Sequence, residues 1–350
     1  MPDRQPIFII AEAGSNWRMG SPTRDWAMAR ALVEAAKSAG ADAVRFQTFR
    51  VRDLYVSNAG ASGYLSSLGI ETPIVDLMAE LEMPYELVSQ IAEHAAASGI
   101  EFMSTPFSAA DVAAVDPHVR RHKVASYEIN HVALLEALGA TGKAIIVSTG
   151  AATMDDIEFG LGTLRRAGAT DITLMQCTAA YPALPESLNL SAIPGLRAAF
   201  DVPVGLSDHS RDPIVGPVTA VGLGAVCIEK HFTLDNRLPG PDHAFAITAD
   251  ELASMVSAVR SAEVALGSAV KQVGPAEEEL RDFAVRGIQA VRDISSGESF
   301  VEGGNIAVLR PGNRRRGLHP RHLPALLSRR AARAIPMGEG VAEEDVDPSL

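Results

Sequence analysis

Eight short apolar runs, each about the length of a β-strand, recur through the first 230 residues, and longer Ala-rich amphipathic stretches separate them. The runs are IFIIA (7–11), AVRFQ (43–47), IEFMS (100–104), HKVAS (122–126), AIIVST (144–149), DITLMQ (171–176), VPVGLS (202–207) and AVCIEK (225–230). Between and after them, helical spacing predicts helices over 22–40, 85–99, 154–168 and 249–266. Gly40, Gly99 and Gly168 close three of these. Thr153, followed by Asp155 and Asp156, caps the start of the third. Strands that alternate with helices pair in parallel. Eight such units over roughly 250 residues predict a closed (β/α)8 TIM barrel. An open doubly wound sheet is the alternative. Against it, EAGSNWRMGS after the first strand lacks the glycine pattern of a dinucleotide-binding turn.

The pattern ends near residue 266, so residues 1–266 are read as the barrel domain and 267–283 as a polar connector with some helix. Residues 284–350 contain a short internal repeat: DISSGESFVEGGNI (293–306) is similar to AIPMGEGVAEEDV (334–346). Each copy has an apolar residue, a Gly-Glu turn, and an acidic turn closing on a second apolar residue. A small duplicated β-rich domain is expected, near the lower size limit for independent folding. Docking on the barrel or on a partner subunit would stabilise it.

The chain has 350 residues and a net charge of −12, from 31 basic and 43 acidic side chains. That balance argues against nucleic acid or an anionic membrane as a partner. It leaves room for a small anion in a locally basic pocket. No apolar stretch approaches the ~20 residues of a membrane span. The first run is too short for a signal peptide, and Glu12 follows it. Cys177 and Cys227 both sit in apolar runs, as reduced thiols of a cytoplasmic protein would.

In a barrel the functional groups gather at the C-terminal strand ends. Those ends carry Glu12 and Asn16, Arg45 and Gln47, Ser104 and Thr105, then Lys123, Ser126 and Glu128. Ser148 and Thr149, Gln176 and Thr178, Ser207, Asp208 and His209, and Glu229, Lys230 and His231 complete the ring. A barrel that served only as a scaffold would not need so many polar groups at one mouth. His209 and His231 end the seventh and eighth predicted strands, which are neighbours about 5 Å apart. Both imidazoles could reach one divalent cation of the Mn2+ or Mg2+ type, or Zn2+, with water and substrate oxygens completing the shell. The alternative is that each histidine hydrogen-bonds a neighbour. The chain has five lysines, yet Lys123 and Lys230 both fall at strand ends. With Arg45 and the nearby hydroxyls they could hold a phosphate and a carboxylate.

The segments STPFS (104–108), KVASYEI (123–129), IIVSTGAA (145–152), CTAAYPA (177–183), GLSDHS (205–210), IEKHFTLD (228–235), GPDHAF (240–245) and RPGN (310–313) resemble the sialic acid synthase family. They occur in family order along almost the whole chain, and ASYEI and IEKHFTLD lean toward its pseudaminic acid synthase branch. The resemblance implies a TIM barrel followed by an antifreeze-like (SAF) domain. It also implies an enzyme that joins phosphoenolpyruvate to an aldehyde sugar, giving a nine-carbon-type 3-deoxy-2-keto acid and phosphate. His209 and His231 would bind Mn2+, or Mg2+ or Co2+. Arg45, Thr105, Lys123, Ser126, Ser148, Thr178 and Ser207 match positions around phosphoenolpyruvate. Gln47, Glu128, Tyr181 and Asp242 match positions near the sugar or the reacting centre. Glu128, Asp208 and Lys123 are the implied catalytic groups. Arg310 matches an arginine that reaches into a partner's barrel, which implies a domain-swapped homodimer.

The departures from the family pattern cluster near the expected acceptor site. After Asn16, Trp17, Arg18 and Met19 stand where the family has His and then Asn or Glu. Arg45 replaces a lysine, and Ala179 replaces a polar residue. The stretch 50–84 lacks the branch's Tyr- and Trp-containing motif. An unusual acceptor would explain this, with Asn16 retained, Trp17 stacking on a sugar ring and Arg18 pairing with an acidic or phosphorylated group. Drift in a tolerant loop is the alternative. Two other functions compete: a Schiff-base pyruvate aldolase using Lys123 or Lys230, and a catalytically silent sugar-binding member of the family.

Overall fold

The computed structural model describes residues 5–61, 63 and 71–348. The chain divides into two compact units, one ending at Gly267 and one beginning at Ser268. The first contains eight parallel strands: β1 (Phe8–Gly14), β2 (Ala43–Thr48), β3 (Glu101–Pro106), β4 (Arg121–Val124), β5 (Ala144–Ser148), β6 (Ile172–Cys177), β7 (Val204–Asp208) and β8 (Cys227–Thr233). Their hydrogen-bonded order is β3-β2-β1-β8-β7-β6-β5-β4, so β3 and β4 meet at the seam of a nearly closed barrel. The expected TIM-barrel architecture is the one found. A two-residue strand, β9 (Ile247–Thr248), adds to β8.

The helices of this unit are α1 (Pro22–Ser38), α2 (Ile74–Glu80), α3 (Tyr85–Ser98), α4 (Ala109–Val115), α5 (Val132–Gly139), α6 (Met154–Arg166), α7 (Ala192–Phe200), α8 (Val215–Gly222) and α9 (Ala249–Leu266). Their starts follow local chemistry. Thr153 caps α6 in a capping box with Asp156, and Thr248 does the same for α9 with Glu251. Each box satisfies backbone N–H groups that the first helical turn leaves free. Helix α3 ends at Gly99 with φ 71°, a left-handed conformation that glycine adopts without steric cost.

Side chains alternate along a strand, and in this barrel one set points inward. Ile10, Ala43, Met103, Ile146, Met175 and Cys227 form an apolar plug inside the barrel. The other set packs against the helices in two large apolar clusters.

The first α-helix of the second unit, α10 (Glu278–Ala284), begins inside the segment expected to be a connector and ends one residue beyond it. The unit continues through an antiparallel pair, β10 (Gly287–Ala290) and β11 (Ile306–Leu309), and a short helix, α11 (Leu323–Leu326). The repeated segments are paired symmetrically. Ile294 and Ile335 exchange both backbone hydrogen bonds; Gly297 N donates to Ala331 O, and Gly338 N donates to Ala290 O. Most of the remaining pairing in this unit consists of isolated bridges rather than long strands. Ile294, Phe300, Ile306, Ile335 and Val341 supply its own small core.

Candidate active site

A cavity of about 660 Å3 opens at the C-terminal ends of the barrel strands. The residues at its base follow from the period of the strands. Two positions beyond the apolar plug, inward positions become polar: Ile10 leads to Glu12, Ala43 to Arg45, Met103 to Thr105, Ile146 to Ser148, and Cys227 to Glu229. One further inward position gives Gln47 and His231. A parallel barrel brings these side chains together with no contribution from loop geometry.

Arg45 organises this layer. Its Nε lies 2.6 Å from Glu12 Oε2 and 2.8 Å from Glu229 Oε2, its Nη2 lies 3.2 Å from Glu229 Oε1, and its Nη1 donates to Thr105 Oγ1. Gln47 Nε2 donates to Glu12 Oε1 at 3.2 Å, and Ser207 Oγ donates to Glu229 Oε1 at 3.1 Å. Lys123 Nζ donates to Ser148 Oγ at 2.6 Å and lies 3.7 Å from Glu229 Oε1. The two carboxylates respond differently. Burial pushes Glu12 up to about 8 despite the pull of Arg45, with the Glu229 charge adding to the rise. Burial also raises Glu229, but Arg45, Lys123 and the hydrogen bonds from Arg45 and Ser207 outweigh it and hold Glu229 below the usual range. Burial lowers Lys123, against the attraction of Glu229.

His209 and His231 lie side by side, with ring centroids 5.3 Å apart. His209 Nδ1 donates to Thr178 O at 2.8 Å, which fixes the ring and leaves Nε2 as the nitrogen that could face a ligand. His231 Nδ1 is buried with no hydrogen-bond partner. Burial and then the charge of His209 hold His231 well below the ordinary histidine range, so its imidazole is neutral. Tyr181 precedes a cis proline, Pro182, and its ring stacks on His209 at 4.3 Å. Asp242 and Phe245 approach from the loop after β8, with Phe245 5.1 Å from His231. Asp242 Oδ2 accepts from Ser15 Oγ at 3.2 Å.

Ten of the residues expected from sequence line the cavity: Arg45, Gln47, Lys123, Ser126, Ser148, Tyr181, Ser207, His209, His231 and Asp242. Others do not. Thr105 lies beneath Arg45, and Thr178 serves through its carbonyl oxygen while its hydroxyl donates to Ser187 O. Asp208 is buried behind the cavity, where Oδ2 takes a 2.7 Å bond from Lys230 and Oδ1 accepts from Ser210 N. Lys230 Nζ also contacts Ser210 O, Ser210 Oγ and Asp212 O, so this pair ties down the loop that carries His209. Asp208 therefore faces Lys230 and the loop that carries His209, and not the cavity where the expected catalytic role would place it. Glu128 stands outside the lining, and its neighbour Tyr127 occupies the rim instead.

The expectation for the loop after β1 is corrected. Trp17 is 1% exposed and belongs to the main apolar cluster, so its ring is unavailable to a sugar. Arg18 is held by Asp25 at 2.5 Å, and Asp25 Oδ1 also caps Met19 N. Asn16 Nδ2 donates to Phe232 O inside the protein. An apolar residue at position 17 is drawn into the core, and the buried Asp25 then recruits the cation beside it. Arg310 is exposed at the end of β11 in the second unit.

Sequence reasoning noticed Glu12 and Glu229 without giving them a role, although the period-two rule places both in the polar layer. It missed the apolar rim: Tyr55, Ile74, Leu77, Met78, Phe107, Tyr127 and Phe245. Most of these lie in loops and short helices, where no strand period marks which side faces inward.

Among known proteins, the chain is 41% identical to the spore coat polysaccharide biosynthesis protein SpsE of Bacillus subtilis, over 97% of this chain and 94% of that protein. It is 37% identical to a pseudaminic acid synthase of Campylobacter jejuni, over 97% and 96%. The crystal structure of N-acetylneuraminic acid (sialic acid) synthetase from Leptospira borgpetersenii, in complex with citrate, superposes with a TM-score of 0.69 at 29% identity, covering 79% of this chain and 90% of that one. The NeuB family model matches residues 32–271, well over half of the chain. A polar ring at the mouth of a parallel barrel, long matches above 30% identity and this family match agree: the chain belongs to the NeuB family.

Proposed function

We propose that this protein condenses phosphoenolpyruvate with the aldehyde of an open-chain sugar, giving a 3-deoxy-2-keto acid and inorganic phosphate. The observation that carries this reading is the joint placement of a cation-and-hydroxyl floor and an imidazole pair in one cavity. Lys123, Ser148 and Ser207, with Arg45 behind them, suit a ligand that carries both phosphate and carboxylate. His209 and His231, one of them with an unpartnered buried nitrogen, suit a divalent cation of the Mn2+, Mg2+ or Co2+ type. Among the described residues no third His, Cys, Asp or Glu completes a cage, so water and substrate oxygens would have to supply the other ligands. When bound there, such an ion supplies Lewis-acid polarisation of the aldehyde oxygen.

The chain's own residues do the rest. Lys123 and the hydroxyls orient phosphoenolpyruvate so that carbon 3 faces the aldehyde carbon. The new C–C bond forms there, and the aldehyde oxygen becomes a hydroxyl by taking a proton. Water adds at the cationic carbon 2 and releases its proton, and the C–O bond to phosphate breaks. Tyr181, Gln47 and Asp242 line the space left for the sugar. The second unit is read as an antifreeze-like (SAF) domain. Exposed Arg310 supports its service to a partner's barrel in a swapped homodimer.

Lys230 is a poor Schiff-base nucleophile, because four oxygens surround its ammonium group. Lys123 lines the cavity and keeps the aldolase reading testable. Phosphate release from phosphoenolpyruvate, measured with Mn2+ across a panel of aldehyde sugars, decides between them. Release that needs one acceptor and is lost in His209→Ala supports condensation. Metal-independent trapping of pyruvate on Lys123 by borohydride, with no phosphate released, would overturn it.

A further inference from the structure

A second cavity, of about 450 Å3, opens at the end of the barrel away from the active site. Its lining fixes its position. Asp42 precedes the first residue of β2, Glu101 and Phe102 open β3, and Arg120 precedes the first residue of β4. All four stand at N-terminal strand ends, where a barrel does not place its chemistry. The cavity also lies at the seam. Strands β3 and β4 touch but share no hydrogen-bonded ladder. Arg121 bridges them through Glu101, with Nε 2.8 Å from Oε1 and Nη2 3.3 Å from Oε2.

The charges around this cavity do not cancel. Glu101 is occupied by Arg121. Asp42 Oδ2 accepts from Ile9 N and from Arg260 Nη2, each at 2.8 Å. Asp116, two residues before His118, holds His122 Nε2 and Lys143 Nζ, each at 2.9 Å. Arg120 is exposed and His118 is half-buried, and both line the cavity. Among the described residues neither side chain has a hydrogen-bond or ion-pair partner. A cation would meet no free carboxylate in this lining, whereas an anion would meet an unpaired guanidinium and an imidazole. The rest of the lining is apolar. Ala92 and Ala96 lie four residues apart on one face of α3, and Ile100 and Phe102 add to it. Side chains as small as alanine leave room for a flat group. The volume falls within the ~300–1,000 Å3 of small-molecule sites.

We propose that the seam cavity binds a small organic phosphate, with the phosphate on Arg120 and His118 and a flat apolar body against Ala92 and Ala96. The site is separate from the anion floor at the mouth of the barrel. It does not depend on the reaction proposed above.

The test is a histidine nuclear magnetic resonance titration of the full-length protein with phenyl phosphate, and with inorganic phosphate as the anion alone. The His118 ring resonance, assigned by its loss in His118→Gln, reports this cavity; those of His209 and His231 report the mouth. Phenyl phosphate should shift the His118 resonance to saturation. Inorganic phosphate should need about tenfold more or beyond, because it lacks the ring that gains apolar contact. Arg120→Ala should weaken phenyl phosphate about tenfold or more, as loss of a charge-assisted hydrogen bond does. Ala96→Glu should weaken it too, by setting a carboxylate against the anion. Both substitutions fall at exposed positions, so the fold should survive them. The proposal is overturned if the His118 resonance does not move, or if inorganic phosphate saturates it as readily as phenyl phosphate. It is also overturned if either variant titrates as the wild type does.

Discussion

Arg45 Nε lies 2.8 Å from Glu229 Oε2, and the same nitrogen lies 2.6 Å from Glu12 Oε2. One guanidinium thus holds two carboxylates from β1 and β8, and all three groups are buried. Removing the cation strands the Glu229 anion in a low-dielectric floor and takes away the partner of Glu12. Arg45→Met should therefore lower unfolding stability by about 3–5 kcal/mol, the usual effect of breaking a buried pair. Arg45→Lys keeps the charge but not the fork that spans Glu12, Glu229 and Thr105. It should fall between the two in urea denaturation and raise the KM for phosphoenolpyruvate. Equal stability of all three proteins would show that the network contributes little.

Glu12 gives this network a pH dependence. Its pKa rises from 4.5 to about 8 on folding, chiefly through burial. The native state then keeps a proton that the unfolded chain has released, so the Glu12 contribution to stability falls as pH rises across that window. A glutamine cannot titrate. The stability of the wild type relative to Glu12→Gln should drop by about 1.4 kcal/mol per pH unit between pH 5 and 8. Urea unfolding in the presence of chelator reads this directly. A difference that stays constant with pH would mean that Glu12 is ionised throughout.

Lys230 and Asp208 make a contrasting pair. The ammonium has four oxygen neighbours, two of them backbone carbonyls of the loop after β7. Lys230→Met should cost about 3–5 kcal/mol because it leaves Asp208 buried and unpaired. The double variant with Asp208→Asn should recover part of that loss, with a coupling of about 0.5–3 kcal/mol in a double-mutant cycle. If the two losses simply add, the pair is not a unit.

These three sites show what was legible in the sequence and what was not. The strand runs located the barrel because a buried parallel strand needs a continuous apolar segment, and AVRFQ and AVCIEK supply one each. The same strands placed Arg45, Lys123, His209 and His231 at one mouth, since a strand end has a fixed position in a barrel. Role was harder to read than place. Asp208 follows Ser207 directly and looks equally available, but the alternation of the strand turns it away from the cavity toward Lys230. Trp17 was expected to stack on a sugar because it departs from the family pattern beside the acceptor site, yet its apolar area is satisfied by the core. Leu77 and Met78 gave no signal at all. A short helix with two half-buried residues looks the same whether it faces a ligand or a neighbouring helix.

The imidazole pair makes the last prediction. Thr178 O fixes the His209 ring through Nδ1 and burial keeps His231 neutral, so an ion bound at the pair would take the place of the proton on His209 Nε2. Protein stripped with a chelator should release no phosphate from phosphoenolpyruvate, and added Mn2+ should restore release. The binding itself can be followed by the paramagnetic resonance of free Mn2+. His209→Ala and His231→Ala should each weaken Mn2+ binding by about tenfold or more, with no loss of the barrel's circular dichroism. Tyr181 stacks on His209 at 4.3 Å but offers the ion no imidazole nitrogen. Tyr181→Phe should therefore leave Mn2+ affinity within about twofold of the wild type, well below the tenfold loss expected for a ligand. If the histidine variants bind Mn2+ as the wild type does, the ion sits elsewhere, and the unpartnered nitrogen of His231 needs another explanation.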